Sequence, residues 1–160
     1  CCNPELFRAG ELTHSTKALL AQLDDSPEIE GVTVLGGEPL EQATGLAPWL
    51  EGVRARGLGV IVFTGFRLED AEHLAGGARI LELADTLVDG RFDATAGPSP
   101  HRFVGSANQA LHHRTDRYAD PKLWQGRNRA EVQIRPDGSL DVHGFPSAVN
   151  KLFNGLRAPD

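Results

Sequence analysis

An α/β fold with parallel strands is what this 160-residue sequence predicts, and three observations carry the prediction. Short β-branched runs alternate with segments of helical periodicity, glycines stand at the joints, and the first strand runs straight into Gly36-Gly37-Glu38-Pro39. Alternation of this kind, with crossovers long enough to hold a helix, is the pattern of βαβ units. In such folds ligands bind beyond the carboxyl ends of the strands, where paired glycines expose bare backbone.

Taken in order, Leu19, Leu20 and Leu23 share one face at helical spacing, which predicts a helix over 16–23. Polar residues 13–16 can cap its start and Asp24-Asp25-Ser26-Pro27 closes it. Gly31 then releases the chain into a strand over 32–35, whose β-branched character suits a sheet covered on both faces. Pro39 suits a first helical position. Gly45 and Pro48 are expected to split 40–56 into a short turn and a second segment beginning near Pro48, anchored by Trp49, Leu50 and Val53. Gly57-Leu58-Gly59 leads into a strand over 60–63. Ala71, Leu74, Ile80, Leu81 and Leu83 give 68–83 an apolar face, Gly76-Gly77 breaks that helix in two, and a strand over 86–88 follows.

Beyond Ala94 the character changes. Gly97-Pro98-Ser99-Pro100 reads as a linker and 114–129 is polar without periodicity, so an ordered loop or lid is expected there. Residues 131–135 and 139–143 flank Pro136-Asp137-Gly138 as a β-hairpin. A single domain results, with a βα core over 1–94, a loop or lid region over 95–130, and a hairpin and tail over 131–160.

A hydrophobic content of 40% suits one sizeable core. With 16 basic against 22 acidic side chains the net charge is −6, which argues against nucleic acid as the main partner, because phosphates need a concentrated positive field. No apolar run is long enough for a membrane span and no signal peptide is visible, so a cytoplasmic location is expected. The two cysteines are adjacent, the wrong arrangement for a disulfide framework. None of the six histidines has metal-binding spacing, and all read as surface or packing residues. The chain opens on Cys1 and contains no methionine, so it reads as a fragment that has lost its N-terminus.

Cys1-Cys2-Asn3-Pro4-Glu5 resembles the end of the CxxxCxxC cluster loop of radical S-adenosylmethionine (SAM) enzymes, where the third cysteine precedes one variable, usually aromatic residue and then Asn-Pro. Residues 62–66 (VFTGF), 87–93 (LVDGRFD) and 105–109 (GSANQ) fall in the order and spacing of one branch of that superfamily, the activating proteins of anaerobic ribonucleotide reductase and related glycyl-radical activases. The resemblance runs from Cys1 to about Gln109, with a weaker echo at Gly144-Phe145-Pro146. It implies a partial, open parallel α/β barrel of the radical SAM type that lacks its first strand, with two further cluster cysteines upstream. It implies a [4Fe-4S] cluster with Cys1 as third ligand, whose remaining iron is open to SAM. Reductive cleavage of SAM would then yield a 5'-deoxyadenosyl radical that takes a hydrogen from a backbone glycine of a partner enzyme. The implied partners are a glycyl-radical enzyme such as anaerobic ribonucleotide reductase and an electron donor such as flavodoxin or ferredoxin, with neither nucleic acid nor membrane.

Residue by residue, the resemblance gives Gly36 and Gly37 the task of leaving room for the methionyl amino group, and Glu38 that of placing negative charge beside it; Pro39 completes the motif. Cys2 stands where an aromatic residue would pack near the adenine and can cover the base as a small polarizable group. Thr64, followed by Gly65, reads equally as a contact to the methionyl or ribose part or as a plain strand-ending turn. Asp89 offers a carboxylate to ribose hydroxyls or an ammonium. Gly105, Ser106, Asn108 and Gln109 either brace the backbone or touch the ligand. No catalytic side chain is predicted. Two other functions use the same motifs: a radical SAM enzyme modifying a small molecule or peptide, differing in how 97–129 covers the mouth, and a degenerate, non-catalytic binding domain. As a fragment the chain is expected to be inactive and poorly soluble, with one sheet edge uncovered.

Overall fold

A computed structural model describes residues 14–126, 128 and 130–144. The expectations for Cys1, Cys2 and the Asn-Pro segment, and for the chain beyond Gly144, lie outside these residues. The described chain runs α1 (Thr16–Asp24), β1 (Gly31–Val34), α2 (Ala43–Ala55), β2 (Gly59–Phe63), α3 (Leu68–Ala71), α4 (Gly77–Leu83), β3 (Thr86–Asp89), β4 (Ala110–His113), β5 (Ala130–Ile134) and β6 (Leu140–Gly144). One sheet has the order β1-β2-β3-β4, with β1, β2 and β3 parallel and β4 antiparallel to β3; β5 and β6 form a separate antiparallel hairpin. Among the described residues the architecture is therefore a mixed α/β fold with an open sheet and a C-terminal hairpin.

Local signals explain most of these elements. Ser15 caps α1 by accepting from the Ala18 N–H at 3.2 Å. Gly76, at φ 79°, separates α3 from α4. Two elements depart from expectation. Pro48 does not split α2, which runs for 13 residues straight after a 3₁₀ turn at Pro39–Gln42. Pro48 lies on the exposed face beside exposed Thr44, so the carbonyl that loses its helical donor can turn to water. The strand β4 lies inside a stretch expected to be loop. Its Ala-Leu-His-His sequence has no β-branched residue, and it becomes a strand because the backbone of β3 pairs with it.

The sheet is packed on both faces. Along β2, Val60 and Val62 point into a helix-side core with Leu40, Leu50, Val53, Ile80, Leu81 and Leu87. Ile61 and Phe63 point the other way, onto Val88, Val104, Tyr118 and Trp124. Residues from the region expected to be a loop or lid thus form a second layer on the sheet, held in part by the Trp124 indole N–H donating to the Tyr118 carbonyl at 2.7 Å. The Tyr118 hydroxyl reaches the paired Gly31 and Gly59, where a side chain on either would collide with it. Among the described residues no helix is long and apolar enough to cross a membrane.

At the amino end of β3, Asp85 is 1% exposed and its carboxylate accepts from Arg54 Nη1 (2.7 Å), the Val60 N–H (2.8 Å) and Thr115 Oγ1 (2.6 Å). One side chain thereby joins α2, β2, β3 and the segment after β4, at the edge of the sheet away from the Gly-Gly turn.

Candidate functional site

The carboxyl ends of β1, β2 and β3 converge on the site. After β1, Gly36 (φ 81°) and Gly37 (φ 56°) both occupy the left-handed region, which residues with a Cβ rarely adopt. This double turn directs Glu38 across to the end of β2. Its Oε1 accepts from Thr64 Oγ1 at 2.6 Å and from the Leu40 N–H at 3.1 Å, and its Oε2 accepts from the Gly65 N–H at 2.8 Å. Glu38 is thus a clamp between two strand ends as well as a fixed negative charge. A carboxylate has about four acceptor positions, so three bonds do not exhaust it. Thr64, 4% exposed, also accepts from the Phe66 N–H at 3.1 Å, which ties its hydroxyl into the same turn.

Asp89 ends β3 and is 3% exposed. Its Oδ2 accepts from the Leu68 N–H at 2.8 Å, at the start of α3, while Oδ1 receives Arg67 Nη1 at 3.4 Å and the Ala110 N–H at 3.3 Å. His112 Nε2 stands 3.2 Å from Oδ2, off the line of a hydrogen bond, and adds an ion pair only when protonated. Asp89 therefore anchors the end of β3 to α3 and β4.

A cavity of about 500 Å³ lies between the strand ends, a size typical of small-molecule sites. Gly37, Gly65 and Gly90 give it bare backbone, Phe63, Phe66 and Phe92 give it apolar walls, Glu38 and Glu41 supply negative charge, and Arg91 supplies a cation. Gly65 adjoins both side chains, because a Cβ there would lie 3.3 Å from Arg91 Cγ and 3.4 Å from Glu38 Oε2. Of the residues singled out in the sequence, Gly37, Glu38, Thr64, Gly65 and Gln109 line this cavity and Asp89 does not. Gly36 and Pro39 face a second space of about 690 Å³ between α1, β1 and α2, with Val34, Leu46 and Trp49; its lining has neither a carboxylate nor an arginine. Larger volume does not make it the better site, since among the described residues its polar lining is His14, Ser15, Thr16 and Gln42, without the pair of opposite fixed charges found in the first cavity.

The 105–109 segment braces the site. Gln109 accepts from the Gly105 and Ser106 N–H groups at 3.0 and 3.2 Å and donates to the Gly90 carbonyl at 2.8 Å. Asn108 donates to the Arg91 carbonyl at 2.8 Å, and Ser106 Oγ accepts from the Asp93 N–H at 3.0 Å. These side chains fix the backbone that carries Arg91 and Phe92. No individual role was expected for Arg91, Phe92 or Glu41 from the sequence; the available signal was that Arg91 and Phe92 follow the end of a strand inside the 87–93 segment of the resemblance.

The clamp can be measured. Glu38→Ala strands the Thr64 hydroxyl and two N–H groups, and should lower unfolding free energy by about 2 kcal/mol, whereas Glu38→Gln, which keeps one acceptor oxygen, should lose about half of that. Denaturant unfolding of the two variants checks it, and equal stability of Glu38→Ala and wild type would remove the clamp.

Against this geometry, comparison with known proteins is specific. The profile of the 4Fe-4S single cluster domain family matches residues 1–112, which contain β1 to β3 and every residue of the cavity. The chain belongs to this family. An anaerobic ribonucleoside-triphosphate reductase-activating protein of Escherichia coli (strain K12) is 27% identical over 122 residues, covering 71% of this chain and 78% of that protein. The protein of the same description from Salmonella typhi matches with the same identity and coverage. No solved structure matches significantly. In this 4Fe-4S single cluster domain, Cys1 and Cys2 lie within the matched span. Among the described residues, no group of three or more His, Cys, Asp and Glu side chains is placed to hold a metal ion.

Proposed function

We propose that this chain is the SAM-binding core of a radical SAM activase that generates a glycyl radical on a partner enzyme, anaerobic ribonucleotide reductase. The observation that carries the reading is the charge content of the 500 Å³ cavity, which is lined by Glu38 and Arg91, both adjoining Gly65, together with bare glycine backbone and aromatic walls. That layout fits an α-amino acid joined to a nucleoside. The Gly37 backbone and Glu38 receive the ammonium, with Gly36 shaping the turn that presents them, and Arg91 receives the carboxylate, since it pairs with no carboxylate among the described residues. Phe63, Phe66 and Phe92 give the base an apolar wall, with Cys2 as a further cover.

Thr64 and Pro39 hold the turn, and Asp89, buried behind the cavity wall, sets the strand end from which Gly90 and Arg91 project. Cys1 is the proposed cluster ligand. When bound, the cluster supplies one electron to SAM, and the species so released removes the glycine hydrogen. The chain's own work is to orient SAM, keep water from it and leave the mouth open to a macromolecule. The open sheet would then belong to a partial barrel of the radical SAM type. A flavodoxin or ferredoxin serves as electron donor, and the setting is cytoplasmic. The match to reductase-activating proteins supports this choice of partner.

Anaerobic incubation of a form that carries all three cluster cysteines and its cluster with SAM, a strong reductant and the cognate reductase should yield 5'-deoxyadenosine and a radical on the reductase, seen by electron paramagnetic resonance as a doublet from the remaining glycine α-hydrogen. SAM cleavage without that doublet, but with conversion of an added small molecule or peptide, would select the alternative enzyme. No cleavage at all would leave a binding domain.

A further inference from the structure

The 3₁₀ turn at Pro39–Gln42, with the residue on either side of it, sorts its side chains into three faces, as a period of three residues requires. Leu40 and Ala43 enter the core, Pro39 and Gln42 face the 690 Å³ space, and Glu38 and Glu41 face the 500 Å³ cavity. The two glutamates differ in what they hold. Glu38 accepts from Thr64, Gly65 and Leu40, whereas the Glu41 side chain is exposed and forms no ion pair among the described residues. Its backbone is nevertheless fixed, since the Glu41 N–H donates to the Glu38 carbonyl at 3.2 Å.

The charged groups that line the cavity are thus two carboxylates, Glu38 and Glu41, and one guanidinium, Arg91. SAM carries the inverse set: an ammonium, a sulfonium and one carboxylate. With Glu38 matched to the ammonium and Arg91 to the carboxylate, one anion of the protein and one cation of the ligand remain. We propose that Glu41 faces the sulfonium and is the residue by which this cavity tells SAM from S-adenosylhomocysteine, the same molecule without the methyl group and its positive charge. This rests on the SAM-binding reading. The spacing agrees, because residues three apart on a 3₁₀ turn stand about 6 Å apart along its axis, and the nitrogen and sulfur of SAM, four single bonds apart, span roughly 5 Å. A carboxylate also suits a ribose diol, but both molecules carry the diol, so the two roles separate by experiment.

Equilibrium titrations of SAM and of S-adenosylhomocysteine are compared in wild type and Glu41→Gln, in a form that carries all three cluster cysteines and its cluster, without reductant so that SAM is not cleaved. Glu41→Gln should weaken SAM about fivefold and leave S-adenosylhomocysteine unchanged, so the preference for SAM falls by the same factor. In wild type that preference should shrink with added salt, and in Glu41→Gln it should not. Glu41→Lys, which places a cation at the same exposed position, should lower the preference further. The thermal midpoint of Glu41→Gln should not move; if it falls, Glu41→Lys and the salt dependence in wild type decide. A preference unchanged in Glu41→Gln overturns the assignment and leaves the SAM-binding reading intact, and an equal loss for both ligands would place Glu41 on the ribose diol. Failure of wild type to bind either ligand overturns the reading beneath it.

Discussion

Gly37→Val, in a form that carries all three cluster cysteines and its cluster, is expected to weaken SAM binding by a hundredfold or more while leaving cluster content unchanged. Two effects act together. Gly37 holds φ 56°, and a β-branched residue in the left-handed region costs on the order of 1–3 kcal/mol. The new side chain would also compete with the ligand for the space that bare backbone leaves at the cavity wall. Since about 1.4 kcal/mol is a factor of ten, strain that turns the loop out of its ligand-ready shape, added to lost contact, reaches two decades. Equilibrium titration with SAM measures the loss, and the visible absorbance of the cluster reports its content. Wild-type affinity in Gly37→Val would return Gly36-Gly37-Glu38-Pro39 to a plain turn before a helix.

The largest stability loss is expected at the other edge of the sheet. Asp85→Ala leaves Arg54, the Val60 N–H and the Thr115 hydroxyl without their acceptor, and the Val60 N–H is buried. Removing one member of a buried charge pair costs about 3–5 kcal/mol. The Arg54 side chain is 36% exposed and can recover some hydration, so about 3 kcal/mol is expected, a large part of the 5–15 kcal/mol typical of a domain. Asp85→Asn keeps one acceptor and should lose less. In Arg54→Ala the further step to Asp85→Ala should cost less than it does in wild type, because no cation is then stranded. Denaturant unfolding gives the values, and a loss below about 1 kcal/mol in Asp85→Ala would show that the junction is not held by this carboxylate. SAM affinity of the folded protein should not change, since Asp85 is at the amino end of β3 and the cavity at the carboxyl ends.

The βα alternation was legible because burial writes itself into periodicity. Val60 and Val62 against Ile61 and Phe63 show a strand packed on two faces, and Leu20 and Leu23 show a helix packed on one, with Leu19 beside them facing the 690 Å³ space. The Gly36-Gly37 turn was legible for a similar reason, since a left-handed backbone leaves few choices of residue. By contrast, β4 has no pattern of its own and exists because β3 offers it a backbone ladder. Pro48 has the local signature of a helix break, but its exposed position makes the loss of one hydrogen bond tolerable.

By itself, the sequence determined the fold class, the order of the parallel strands' crossovers, the turn that presents backbone to a ligand and the family to which residues 1–112 belong. These are local, carried by periodicity, backbone conformation or contiguous motif. Only the tertiary structure decided what each polar side chain faces. It made Glu38 a clamp on Thr64 and Gly65, turned Asp89 toward Leu68 and Arg67, brought Arg91 beside Gly65, and gave Asp85 three partners distant in sequence. The reason is physical: a hydrogen bond or ion pair between residues twenty or more apart depends on how strands and helices pack, and leaves no mark on the spacing of either partner.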